Sequence, residues 1–233
     1  LRDVLAGLHT MIGARTVVLT LQNGVQAYDH VAAAVGAAQT LPGMIFCELS
    51  VESPGVVRSG IEPVRLTFGG IPPHPLHPTA RALQHALVEA GVEVTLLADG
   101  RTGVWSKAVF VAAMSATTTI SGADMGHLSA DPEAQYLLEA ALAEAKVVAA
   151  AEGIVFERDP VAAALTTARA MPTTARSSMS RDFAAGRPLE IDALSGEIVA
   201  RGRALGIATP VNQALYALLR LRVALRDEEM RNR

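Results

Sequence analysis

Lys107 is the side chain best suited to acid–base chemistry in this 233-residue sequence. The chain carries 20 basic residues; 18 are arginine, and only Lys107 and Lys146 are lysine. Lys146 lies beside Glu144 in a polar-flanked stretch and needs no special account. Lys107 interrupts the apolar run from Val104 to Met114. Lysine loses basicity on burial and can give up a proton, whereas arginine stays charged. Two readings follow. One is a stem snorkelling out of a core helix; the other is a general acid facing a substrate. Positions 107, 111 and 115 share one helical face, so Val111 and Ser115 extend the same wall.

Three further clusters could carry chemistry. Leu21-Gln22-Asn23-Gly24-Val25 closes a predicted β-branched strand. Ligands of open α/β sheets gather at that carboxyl edge, although Asn-Gly is also an ordinary turn. Ser177 and Ser178 precede a predicted helix, where a hydroxyl is a cap and the free N–H groups also suit a carboxylate. Glu190 and Asp192 follow Pro188, which suits the first helical position, and acids in a first turn complement the dipole. That account leaves unexplained why Glu190 follows Ser178 by twelve residues across Gly186-Arg187-Pro188. His74 and His77 sit among prolines with no carboxylate or cysteine near them, which reads as a solvated loop rather than a metal site. No metal is expected.

The elements that must position these residues change character along the chain. Thr16–Leu21, Met44–Val51, Gly55–Arg58, Arg65–Phe68 and Val92–Leu97 read as strands. Val25–Val35 and Thr79–Ala90 read as helices, with Thr79 as an N-cap. From Arg101 onward strand signals nearly vanish. Helices are predicted over about 103–119, 131–152, 159–170, 177–185, 188–205 and 209–226, punctuated by glycine and proline. The polar tail from Asp227 is expected to fray. The pattern predicts an α/β domain over residues 1–99 and an all-α domain over 100–233.

Composition excludes several classes. Half the residues are hydrophobic and the net charge is −3, so the sequence carries no basic footprint for nucleic acid. Charged residues or proline interrupt every apolar stretch long enough to suggest a membrane span. The single cysteine, Cys47, excludes a disulfide framework, fits a cytoplasmic protein and reads as a buried structural thiol. The run from Leu1 to Leu8 already looks like mid-helix, which reads as a fragment lacking its front. No Gly-x-Gly-x-x-Gly occurs, and Gly69-Gly70 leads into Ile71-Pro72-Pro73, which does not open a phosphate-binding helix.

In order, the pieces Leu21-Gln22-Asn23-Gly24-Val25, Glu52-x-Pro54-Gly55, Trp105-x-Lys107, Ser177-Ser178-Met179-x-x-Asp182, Glu190-Ile191-Asp192-x-x-x-Gly196 and Gly206-Ile207-x-Thr209-Pro210-x-Asn212 resemble the ketopantoate reductase (2-dehydropantoate 2-reductase) family. The resemblance covers essentially the whole chain. It implies α/β plus all-α architecture: the remainder of a Rossmann-like domain, then a helical domain like the C-terminal one of 6-phosphogluconate dehydrogenase, with an active site in the cleft between them. The implied activity is NADPH-dependent reduction of 2-dehydropantoate to pantoate in pantothenate and coenzyme A biosynthesis. Lys107 would hold and protonate the keto oxygen. Asn23 would contact the nicotinamide end of NADP and the substrate. Ser178 would bind the substrate, with Ser115 on the same wall as the lysine. Glu190 would orient the lysine or the bound ligands. A homodimer is a further expectation.

The sequence departs from the family in two ways. Val111 and Ser115 stand where the family usually carries asparagine, which points toward another, more apolar 2-keto acid as readily as toward ketopantoate. The glycine-rich pyrophosphate cradle is missing, so these 233 residues alone are expected not to turn over. Two other readings stay open: a related 3-hydroxy acid dehydrogenase, and a non-catalytic homologue whose helical domain only dimerises.

Overall fold

The computed structural model describes residues 4, 5, 7, 10–47, 49–60 and 63–232. Of the run 1–8, Val4, Leu5 and Gly7 are helical and the rest lies outside the described residues. The chain divides into two compact units, Leu1–Val104 and Trp105–Arg233. The division falls five residues beyond the boundary expected after Asp99, inside a helix that starts at Gly100.

Among the described residues, the first unit is built on a four-stranded sheet. Its strands are β1 (Val18–Thr20), β2 (Thr40–Phe46), β5 (Arg65–Gly70) and β6 (Glu93–Asp99), adjacent in that order. β1 runs parallel to β2 and β5 parallel to β6, but β2 and β5 are antiparallel, with Gly43 opposite Phe68. Leu41, Leu66, Phe68 and Ala80 form its core, flanked by Leu19, Ile45, Leu83 and Leu96. Alternating burial along β5 puts Leu66 and Phe68 inward, as the two-residue period of a strand requires. Helix α1 (Ala27–Val35) buries Ala27, Tyr28 and Val31, and helix α2 (Pro78–Glu89) contacts β6.

Three expectations fail here, the first two for identifiable reasons. The run Met44–Val51 is not one strand. β2 ends at Phe46 opposite Arg65, where its partner β5 begins, so the ladder has no neighbour to continue on. The chain then forms a separate ribbon, β3 (Leu49–Ser53) and β4 (Val56–Ser59), turning at Gly55 with φ of 82°. The cap of α2 is His77, not Thr79: the Thr79 N–H donates to His77 Nδ1 at 3.2 Å, with Pro78 in the first turn. His77 Nε2 lies 3.3 Å from the Ala14 carbonyl, so both ring nitrogens are engaged. Cys47 is half-buried rather than fully buried.

Helix α3 (Gly100–Ser121) begins on the sheet and continues into the second unit. A Cβ on Gly100 would stand 2.3 Å from the Pro42 carbonyl oxygen, and one on Gly69 would stand 2.3 Å from that of Leu97. Only glycine permits so close an approach. Asp99 closes the first turn by accepting the Arg101 backbone N–H at 3.0 Å and holds its guanidinium at 2.7 and 2.9 Å.

The second unit is helical among its described residues. After α3 come α4 (Met125–Ala130), α5 (Pro132–Ala151), α6 (Pro160–Ala170), α7 (Ser178–Ala184), a π-turn (Asp192–Gly196), α8 (Glu197–Ala204) and α9 (Pro210–Arg231). Asp124, Asp131 and Asp159 cap α4, α5 and α6 through side-chain oxygens. Residues 112–119 of α3 are all buried, and α5 adds Leu138, Leu142, Ala145 and Val148. Helix α4 was not expected. The helix predicted over 188–205 starts later: residues 187–190 are irregular, and Asp192–Gly196 forms a π-turn that runs directly into α8. The Gly196 N–H donates to Ile191 at 2.9 Å, and a Cβ on Gly196 would stand 2.9 Å from the Tyr216 ring. The missing side chain at Gly196 thus leaves room for the Tyr216 ring. The tail does not fray at Asp227: α9 continues to Arg231 because Arg226 and Met230 pack back against residues 183–187.

Candidate functional site

Asn23 belongs to the first unit. It opens the bend after β1, half-buried, followed by Gly24 at φ of 85° and by Val25, which is fully buried. β1 ends at Thr20, so Asn23 lies at its carboxyl edge, the edge where α/β sheets hold ligands. Gly24 lets the backbone turn tightly there without a Cβ. A surface recess of about 760 Å³ in this unit is lined by residues 10–16 and Thr79 and contains none of the expected site residues.

The other expected residues belong to the second unit. Lys107 is half-buried on α3, between the buried positions Val104 and Ala108. Trp105, two residues earlier, points about 200° away around the helix. It is fully buried under the Arg201 guanidinium, whose carbon lies 5.8 Å from the ring centroid. Arg201 is itself held at 2.8 Å by both Glu152 and Glu197. The helix is therefore clamped on the Trp105 side, and the lysine leaves from the opposite side.

Lys107, Val111 and Thr118 lie within about 40° of one another around α3, at 100° per residue. Thr118 stands three turns beyond Lys107, about 16 Å along the axis. Its Oγ1 is 2.8 Å from Ser177 Oγ. Thr118 also donates to the Met114 carbonyl at 2.8 Å, so the Ser177 hydroxyl is the donor to Thr118. Ser177 Oγ accepts the Ser180 N–H at 3.0 Å and so caps α7. The lysine-bearing face of α3 is thereby tied to the start of the helix that carries Ser178. Ser178 itself is exposed, as is Glu190.

Ser115 is 1% exposed, and its hydroxyl has no hydrogen-bond partner among the described residues; the buried Thr119 and Ser195 hydroxyls have none there either. A buried orphan hydroxyl costs about 1–3 kcal/mol, so such groups are kept where something else satisfies them. Ser115 and Lys107 share α3, Ser178 reaches it through Ser177, and Glu190 follows α7. Thr118, Tyr216 and Arg226 were not singled out from sequence. Each acts through partners 24 or more positions away, beyond the reach of local pattern. Tyr216 donates to Asp192 at 2.6 Å, and that bond together with burial raises its pKa above the ordinary tyrosine value.

No helix among the described residues is long and apolar enough to cross a membrane. The fold is shared with solved ketopantoate reductases. The 2-dehydropantoate 2-reductase from Methylococcus capsulatus matches with a TM-score of 0.86 at 27% identity, over 96% of this chain and 71% of that one. A ketopantoate reductase from Ralstonia eutropha JMP134 matches at 0.84 and 27%, over 97% and 73%. A D-mandelate dehydrogenase solved with NADH and anilino(oxo)acetate shares the fold at 0.84 and 22%, over 97% and 73%. In sequence, residues 99–223 match the family described as "Ketopantoate reductase PanE/ApbA C terminal", and residues 1–73 match "Ketopantoate reductase PanE/ApbA". The 2-dehydropantoate 2-reductase of Mycobacterium tuberculosis is 33% identical over 91% of this chain, which spans 69% of that protein. That of Pyrobaculum aerophilum is 32% identical over 90% of the chain and 70% of its own length. The chain belongs to the ketopantoate reductase PanE/ApbA family.

Proposed function

We propose that this chain belongs to an NADP-dependent reductase that converts 2-dehydropantoate, or a closely related 2-keto acid, to the 2-hydroxy acid. Membership of the family supports the reaction class. The observation that carries the reading to residues is α3. It presents one half-buried lysine on a face shared with Val111, while its opposite side is locked by Trp105 and Arg201. The buried, unpartnered Ser115 hydroxyl lies further along the same helix.

In this reading Lys107 donates a hydrogen bond to the keto oxygen and then gives it a proton. Negative charge develops on that oxygen in the transition state, where an ammonium lowers the barrier most. Ser178 hydrogen-bonds the substrate, and Ser115 gives its orphan hydroxyl to the same ligand. Glu190 orients the lysine or the bound ligands. Asn23, at the carboxyl edge of β1, holds the nicotinamide end; the buried positive-φ Gly24 beside it suits such an approach. When bound, the cofactor supplies a hydride to the keto carbon. A small 2-keto acid is the partner, the protein acts in the cytoplasm, and it pairs as a homodimer.

The test is steady-state reduction of a panel of 2-keto acids with NADPH and with NADH, using the protein together with any upstream segment its gene encodes. Lys107→Ala is expected to lose at least about a hundredfold in kcat with an unchanged melt. Activity that survives the substitution, or a wild type inert toward every 2-keto acid, refutes the reading.

A further inference from the structure

The candidate site leaves one arrangement unexplained: Glu190 lies on a stretch that is neither helix nor strand, from Arg187 to Ile191. An exposed acid on irregular backbone is poorly placed for orienting another group unless its ends are held. Here both ends are held by α9. On the N-terminal side the loop first closes on itself. The Arg187 N–H donates to the Asp182 carbonyl at 2.8 Å, and its Nε donates to the Asp182 carboxylate at 2.7 Å. Arg226 then pins that loop. Its Nη1 donates to the carbonyl oxygens of Arg187 at 3.0 Å and Phe183 at 3.4 Å. Its guanidinium carbon lies 5.0 Å from the Phe183 ring centroid, and Asp227 holds the same guanidinium at 2.7 Å. The Arg226 side chain is only 13% exposed. Met230 adds a contact one turn on: a Cβ on Gly186 would stand 3.0 Å from its Cε.

On the C-terminal side the anchor is Tyr216. Its hydroxyl donates to Asp192 at 2.6 Å, and its ring lies against Gly196 in the π-turn. Glu190 is three residues from the Arg226 anchor and two from the Tyr216 anchor. At 3.3–3.6 Å per extended residue, its backbone is confined within about 10 Å of one and about 7 Å of the other.

We infer that Arg226 and Tyr216 are positioning residues that fix Glu190 by pinning the backbone on either side of it to α9. The inference rests on the proposed role of Glu190. It also accounts for the twelve-residue spacing between Ser178 and Glu190. The intervening turn folds back through Asp182 and Arg187, and a single arginine locks it.

The test uses Arg226→Leu, Tyr216→Phe, their combination, and Arg226→Lys, each in the protein together with any upstream segment its gene encodes. Hydrogen exchange is followed by mass spectrometry, and kinetics are measured with and without Glu190→Gln. The double variant is expected to speed exchange at residues 187–194 at least tenfold, while the α5 core amides of residues 138–149 stay within twofold. Its kcat/KM falls at least tenfold. Adding Glu190→Gln to it then costs less than threefold, although Glu190→Gln alone costs tenfold or more. Arg226→Lys, which keeps one donor, recovers part of the loss. A purely structural role would make the losses additive. Full additivity, or unchanged exchange at 187–194, overturns the inference while leaving the reductase reading intact. A wild type inert toward every 2-keto acid overturns the reductase reading instead. In that event faster exchange at 187–194 in the double variant still supports the pinning, and unchanged exchange refutes it.

Discussion

Ser177 and Ser178 are neighbours with opposite expected phenotypes, and the contrast can be worked from their surroundings. Ser177 is 2% exposed; its Oγ caps α7 through the Ser180 N–H at 3.0 Å and donates to Thr118 at 2.8 Å. Ser177→Ala removes a cap, about 1 kcal/mol, and a buried hydroxyl bond, about another 1 kcal/mol. Thr118 does not become an orphan, because it keeps the Met114 carbonyl. The total is about 2 kcal/mol. For a chain of this size, that lowers the melting temperature by about 4–8 °C. Ser178 is exposed, so Ser178→Ala is expected to change stability by less than about 0.5 kcal/mol. Its effect appears in kcat/KM, about 5- to 100-fold if one substrate hydrogen bond is lost. Thermal melts by circular dichroism and keto-acid kinetics on both variants separate the roles. Equal destabilisation by the two substitutions would refute the reasoning, as would a wild-type melt for Ser177→Ala.

Two other predictions concern the helical unit. Glu144 accepts the backbone N–H groups of Val211 and Asn212 at 2.8 and 2.9 Å and Asn212 Nδ2 at 2.8 Å, so it closes the first turn of α9 from a distance. Glu144→Ala should cost about 2–3 kcal/mol in urea unfolding, with Glu144→Gln costing less than half as much. Asp159 caps α6 and pairs with Lys146 at 3.0 Å; the Lys146 hydrogen bond, then the Val161 N–H, lower its pKa from the ordinary 3.8. A carboxylate depressed in the folded state stabilises above its unfolded pKa and stops doing so as pH falls through the folded value. The difference in melting temperature between wild type and Asp159→Asn should therefore be constant from neutral pH to about pH 5. It should close below the ordinary value, as melts across pH 2–7 would show.

Much of the framework was legible because its signals are local. Helices expected over 131–152 and 159–170 occur at 132–151 and 160–170, where aspartate caps and proline in the first turn act within three residues. The passage from α/β to helix was legible for the same reason, since strand and helix periods differ within any short window. Lys107 stood out because one lysine among arginines, in an apolar run, is a property of composition. None of this required knowing what touches what.

The contacts that shape the site were decided only by the fold. Thr118 and Ser177 are 59 positions apart, and Arg226 and Arg187 are 39 apart. His77 caps a helix because its ring also reaches Ala14, 63 residues away. Gly196 in the π-turn has no room for a Cβ because the Tyr216 ring, from a remote helix, fills that space. Local propensity sees only a few neighbouring residues. A hydroxyl, a ring or a guanidinium acquires its partner only when chain closure brings remote segments into contact, and the energy of that contact then overrides the local preference.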